Sequence, residues 1–167
     1  MSVHQIKAVV GDIDPPIWRR LQVRSDRTLA HLHDVLQAAL GWEDYHLHSF
    51  GCDDAEAVMT VAQAAPEIGS WLTYRYDFGD DWQVDLTVEK ILTSPRSATV
   101  FPRCTAGRRA GPPEDCGGPN GYEDMLTALR ARKGWQYREV REFLGTGRFD
   151  PETFDSGDLN KTLATLA

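Results

Sequence analysis

Two runs of strict alternation limit what this chain can become. Leu72, Tyr74 and Tyr76 alternate with Thr73 and Arg75, and Trp82, Val84, Leu86 and Val88 alternate with Gln83, Asp85, Thr87 and Glu89. A period of two puts each apolar set on one face of a strand. The five residues between them, Asp77-Phe78-Gly79-Asp80-Asp81, suit a hairpin connection. A hairpin with one apolar face must bury that face, so helices are expected to cover it.

The remaining segments supply both strands and helices. Residues 4–11 and 17–24 read as a second hairpin around Asp14-Pro15-Pro16, with Ile17, Leu21 and Val23 on the same face as Arg19. Thr28 is placed to cap a helix whose stripe is Leu29, Leu32, Val35, Leu36, Ala39 and Leu40, and Gly41 is placed to end it. His31 and His33 fall on its more polar side and read as surface residues. His46, His48 and Phe50 share one face of a short strand. Residues 52–70 are weakly patterned, with a short strand near 59–61 and a helical turn near 61–65.

Past the strands, Asn120 and Glu123 resemble a capping box for a helix carrying Tyr122, Met125, Leu126 and Leu129 and stopped by Gly134. A second helix is expected over 136–144 with Val140, Phe143 and Leu144 inward, and a last one over 159–166. The fold class is therefore α+β. One domain, residues 1–167, is expected, with a mainly antiparallel sheet of about five strands in a β-grasp-like roll. Helices pack on that sheet, and a helical segment closes the chain.

Composition narrows the function classes. The 167 residues carry 18 basic and 25 acidic side chains, a net charge of −7. Such a chain repels phosphate backbones on average, so nucleic acid is an unfavoured partner without a local basic patch. No run approaches the roughly 18 apolar residues of a membrane span, so no membrane association is expected. Three cysteines and a start without a signal-like apolar run predict a reducing, cytoplasmic setting.

Residues 102–124 concentrate the unusual chemistry. They hold two of the three cysteines, four of the nine prolines and five of the fourteen glycines. That mix is expected to form a long ordered loop rather than a helix or strand. Asp77, Asp80 and Asp81 crowd the hairpin tip, and crowded carboxylates call for a cation, hydrogen-bond donors or solvation. His46 and His48 could ligate one metal, or one could sit satisfied in the core while the other is exposed. Trp18, Arg19 and Arg20 read either as an anion contact or as a half-buried strand with solvated arginines. The Asp77-Phe78-Gly79 triplet does not mark a kinase, because the catalytic loop and lysine-bearing strand are missing.

Four motifs together resemble one family. They are Pro15-Pro16-Ile17-Trp18-Arg19-Arg20, Gly41-Trp42-Glu43-Asp44-Tyr45-His46-Leu47-His48, Tyr76-Asp77-Phe78-Gly79-Asp80-Asp81-Trp82 and Pro113-Glu114-Asp115-Cys116-Gly117-Gly118-Pro119. In this order they resemble the Ri-plasmid open-reading-frame-three-like family over about residues 4–166. The resemblance implies an association with plasmids and insertion sequences and carries no established reaction. A resolvase label used for some members finds no support in these residues. The family pattern commonly has cysteine where this chain has Gly111, so a loop zinc site would lack one ligand.

Three functions follow as expectations. The first is a non-catalytic binding or accessory domain with a protein partner, using Trp18, Trp42 and Trp135 as anchors. The second is a metal-dependent hydrolase or nuclease built from His46, His48, Asp77, Asp80, Asp81, Glu114 and Asp115. Its metal would be divalent, zinc or manganese, and Arg103, Arg108 and Arg109 would hold a phosphate. The third is a structural zinc loop through Cys104 and Cys116, completed by His46 or His48. The hydrolase or nuclease reading requires the hairpin tip and the central loop to meet in space.

Overall fold

The protein is described by a computed structural model over residues 2–52, 55–93 and 100–167. The elements in chain order are β1 (Ser2–Val10), β2 (Trp18–Arg24), α1 (Leu29–Leu40), β3 (His48–Ser49), α2 (Val61–Ala64), β4 (Trp71–Tyr76), β5 (Trp82–Thr93) and β6 (Arg103–Arg108). Then follow α3 (Gly118–Ala131), α4 (Gly134–Leu144) and α5 (Ser156–Leu163), with a 3₁₀ turn over Ala164–Leu166. The strands form one sheet in the order β3-β4-β5-β1-β2-β6, antiparallel throughout. This is an α+β fold with one strand more than the five expected.

The alternating patterns produce the sheet as anticipated. Trp82, Val84, Leu86 and Val88 are buried while Gln83, Asp85 and Thr87 are exposed. Ile17, just before β2, and Arg19, Leu21 and Val23 on it are all buried. A bulge between Gln5 and Ile6 lets consecutive residues of β1 bury on both faces. The opposite face carries a polar ladder: Arg103 donates to Gln22, Gln22 to Gln5, Gln5 to Glu89, and Arg20 grips Glu89 with two bonds of 2.6 and 2.9 Å.

On the apolar face, α1 presents the expected stripe. Thr28 Oγ1 caps it by accepting from His31 N, and Gly41 ends it at φ 74°. Its residues join β-strand, α3 and α5 residues in one core that runs from Ile6 to Leu163. Arg19 reaches into that core. Its guanidinium donates to the carbonyls of Ala39, Trp18 and Arg108 at 2.8–3.0 Å and lies 4.4 Å from the centre of the Phe154 ring.

The central stretch departs from the loop expected of it. Residues 103–108 contain no proline and one glycine, and they add to the free edge of β2 as β6. On the far side of β6, Asn160 of α5 accepts from Cys104 N at 2.7 Å and donates to Cys104 O at 2.9 Å. The helix α3 starts earlier than the Asn120 capping box implied, because Gly117 at φ 95° turns the chain and Pro119 is tolerated in a first turn. It ends at Arg132 in the left-handed region, so Gly134 opens α4 rather than stopping α3. α4 buries no side chain fully. Val140 and Leu144 pack against the core, but Phe143, expected inward, is 49% exposed, and Trp135 is 59% exposed.

Candidate functional site

Three loops converge at one end of the sheet: residues 42–47 after α1, the 77–81 hairpin tip, and residues 111–117 before α3. Trp42 is buried, stacks on Tyr76 with ring centres 4.8 Å apart, and donates its indole N–H to Pro112 O at 3.0 Å. Tyr76 OH donates to Glu114 Oε1 at 2.9 Å and accepts from Tyr45 N. Glu43 N donates to the same Glu114 oxygen. Burial and the Glu114 bond push the Tyr76 phenol well above its usual pKa. Asp80 Oδ2 accepts from Gly117 N at 2.9 Å, which ties the hairpin tip to the start of α3. A side chain on Gly118 would meet Asp80 O at 2.2 Å, so the join requires glycine there.

His46 sits where the three loops meet. Its Nε2 is 2.8 Å from Asp115 Oδ1 and 3.6 Å from Asp77 Oδ2. The Asp77 side chain is 10% exposed and that of Asp115 60%, so the cluster opens to solvent on the Asp115 side. Asp77 uses its other oxygen to accept from Gly79 N and Asp80 N, which orients Oδ2 towards His46. The three ligand-type atoms lie within 4.8 Å of one another. Ligand atoms on a tetrahedral ion at about 2.0–2.2 Å lie about 3.3–3.6 Å from one another, so the His46–Asp77 spacing already suits a cation and the His46–Asp115 contact would open to admit one.

The second carboxylate–imidazole group, His33, Asp44 and His48, has a different character. The two imidazoles stack face to face, 3.6 Å between centres and 10° between planes. Ring-nitrogen lone pairs lie in the ring planes, so stacked rings cannot aim two of them at one ion. Gln37 Nε2 donates to Tyr74 OH, leaving the phenol proton for His33 Nδ1 at 2.8 Å. His33 therefore carries its proton on Nε2 and donates to Asp44 Oδ1 at 3.1 Å. His48 Nε2 faces Glu56 at 2.9 Å.

Burial, then the neighbouring His48, lowers the pKa of His33, and burial also lowers that of His31. Below the unfolded value of about 6.5 the unfolded chain takes up protons that the folded chain refuses. Folding stability is thus expected to fall as pH drops from about 7.5 to 5.5. Thermal melts across that range check this, and a flat melting temperature would remove the histidine pair from the account of acid stability.

The other candidate residues are dispersed. Arg20 is held by Glu89, and Trp18 lies beneath Lys7 and Arg20 at 5.4 and 5.3 Å. Arg109 is buried, pairs with Glu152 at 3.0 Å and donates to Pro15 O; Arg108 is exposed at the end of β6. Asp81 is paired with Arg75, which holds its carboxyl below the usual range. His46 and His48 do not share a ligand set, because the chain turns between them and only His48 enters β3. Cys104 is buried, with its thiol directed at Ala106 O. Burial and then the Asp80, Asp115 and Glu114 carboxylates push the Cys116 thiol up to about 12. Among the described residues, neither three-residue group contains a cysteine.

His33 was legible only as a surface residue, although it is one turn from Leu29 and Gln37, both buried. That spacing was the available signal. Exposed Tyr45 and Leu47 flank His46, and exposed Phe78 follows Asp77, giving the loop end an apolar rim.

The comparisons with known proteins agree with this architecture. The family model described as plasmid pRiA4b ORF-3-like protein matches residues 2–158. The uncharacterized protein y4hQ of Sinorhizobium fredii is 31% identical over 182 residues, covering 99% of this chain and 93% of the relative. The crystal structure of a protein of unknown function from Methanosarcina mazei Go1 superposes with a TM-score of 0.85 at 36% identity. It covers 94% of this chain and 97% of that one.

Proposed function

This chain belongs to the plasmid pRiA4b ORF-3-like family, and from that premise we propose a binding or accessory domain whose recognition surface is the three-loop end, organised by a divalent cation on His46, Asp77 and Asp115. The observation that carries this reading is the convergence of one imidazole and two carboxylates from three separate loops. Imidazole with carboxylates suits zinc or manganese. The rim of Tyr45, Leu47 and Phe78 supplies apolar contact area for a protein partner beside the cation. The family's name supports service to plasmids or other mobile elements.

A non-catalytic role is favoured by the placement of the arginines. Arg103 is held by Gln22 and Arg109 by Glu152, away from His46, so neither stands ready to clamp a phosphate at this cluster. The hydrolytic reading keeps one support, the solvent-open side at Asp115, where a bound water could be activated.

Calorimetric titration with zinc and manganese tests the proposal on protein first stripped with chelator. One ion per chain is expected, with affinity reduced at least about tenfold in His46→Ala and in Asp77→Asn, as losing one ligand of three implies. Titration without heat for either metal, or unchanged affinity in both variants, would sink it. Metal-dependent turnover of phosphate or carboxylate esters, abolished in His46→Ala, would move the reading to hydrolysis.

A further inference from the structure

The convergence of arginines that the loop end lacks occurs elsewhere. A hollow of about 920 Å³ lies between the C-terminal end of α3, the helix α4 and residues 148–151. Arg130, Arg132, Arg141 and Arg148 line it, with Tyr137 and Phe149. We infer that this hollow is a binding site for a small phosphorylated ligand of the nucleoside di- or triphosphate class.

Four of the chain's 18 basic residues thus face one concavity in a protein of net charge −7. Helix dipoles explain Arg130 and Arg141 individually, since each closes the last turn of its helix. They do not explain why Arg132 and Arg148, which lie outside both helices, face the same hollow.

Partial neutralisation leaves a cationic surplus. Arg130 is 3.3 Å from Glu123, and Arg141 donates to Gly147 O at 3.2 Å. Asp150 is the one carboxylate in the lining among the described residues. Among the described residues, no side-chain hydrogen bond or ion pair engages Arg132 or Arg148, so both guanidinium forks are free for a ligand. Guanidinium groups match phosphate oxygens two bonds at a time, which makes a polyphosphate the anion best suited to several of them.

Two further features select the ligand class. Tyr137 and Phe149 offer rings beside the cations, and a base stacks on aromatic rings in a sequence-tolerant way. The volume falls within the range of about 300–1,000 Å³ typical of small-ligand sites. A long nucleic acid is disfavoured, because the four arginines are confined to one hollow and the net charge of −7 repels an extended polyanion.

The test is calorimetry in metal-free, low-salt buffer, so that it does not depend on the His46 cluster. The probes are ATP, pyrophosphate, adenosine and a short single-stranded oligonucleotide. ATP and pyrophosphate are expected to bind, ATP more tightly, with adenosine much weaker. Arg132→Asn combined with Arg148→Gln is expected to weaken ATP at least about tenfold, as loss of two charge-assisted contacts implies. Arg24→Gln, at an exposed pair with Asp26 on β2, is expected to change nothing. Both variants should keep the parent's melting temperature, since neither Arg132 nor Arg148 supports the fold. No binding of ATP or pyrophosphate at millimolar concentration would overturn the inference. So would adenosine matching ATP, the oligonucleotide binding while ATP does not, or ATP binding unaltered by the double substitution.

Discussion

Arg19→Ala is expected to destabilise the protein by about 3–5 kcal/mol, from carbonyls left without a donor at about 1–3 kcal/mol each together with the lost packing. The Arg19 side chain is buried and among the described residues has no carboxylate partner; its three acceptors are backbone carbonyls and its flat face meets Phe154. Burial pushes its pKa down to about 10, so it stays charged at neutral pH. Alanine would strand Ala39 O at the end of α1 together with Arg108 O in β6. The two elements are held to β2 by the same group, so both loosen at once. Arg19→Lys should recover little, because an ammonium cannot span acceptors lying in two directions. Urea denaturation measures the effect. A loss below about 1 kcal/mol, the net worth of an ordinary hydrogen bond, would show that water replaces the guanidinium.

The second large effect is expected at Gly111. A Cβ built there lies 1.8 Å from Leu40 O, so any side chain forces residues 111–117 away from the end of α1. That movement works against Trp42 donating to Pro112 O and against Glu114 bridging Tyr76 OH and Glu43 N. Gly111→Ala is expected to cost about 2–4 kcal/mol, since overpacking against backbone exceeds the usual 1–3. On a domain of this size that lowers the melting temperature by roughly 10 °C. Because Asp115 rides on the same loop, cation affinity at His46 should fall with stability. Gly147→Ala, with nothing nearer than 3.8 Å, should stay within about 0.5 kcal/mol. Equal melting temperatures for the two variants would show that the loop has room to lift. Cysteine, the residue that the family resemblance suggests at this position, would meet the same obstruction.

What could be read from the sequence is what depends on near neighbours. The alternation from Trp82 to Val88 and the stripe from Leu29 to Leu40 are local periodicities, and each became the element it implied. Strand β6 is different. It forms because β2, more than 80 residues earlier, offers a free edge, and nothing within residues 103–108 announces that. The strand also carries Cys104 into the core, whereas Cys116 follows a turn at the mouth of α3.

At the candidate site, the meeting of hairpin tip and central loop was a stated requirement that only tertiary structure could satisfy. The residues that satisfy it, Gly118 beneath Asp80 and Asp80 on Gly117 N, are 37–38 positions apart. His33 was misplaced for a subtler reason. A buried imidazole needs partners for two nitrogens, and its partners Tyr74 and Asp44 come from different parts of the chain.

The amide of Asn160 has a consequence for behaviour in a crowded solution. An outermost strand with free N–H and C=O groups is a template on which another chain can add, and that is how ordered aggregates begin. Here the Asn160 carboxamide occupies both main-chain groups of Cys104, as a neighbouring strand would. The opposite border of the sheet is β3, only two residues long and too short to recruit a stable newcomer. A single side chain thus interrupts one border of the sheet at Cys104, while on the other β3 covers only Arg75 and Tyr76 of β4, so growth from molecule to molecule is hindered most at β6.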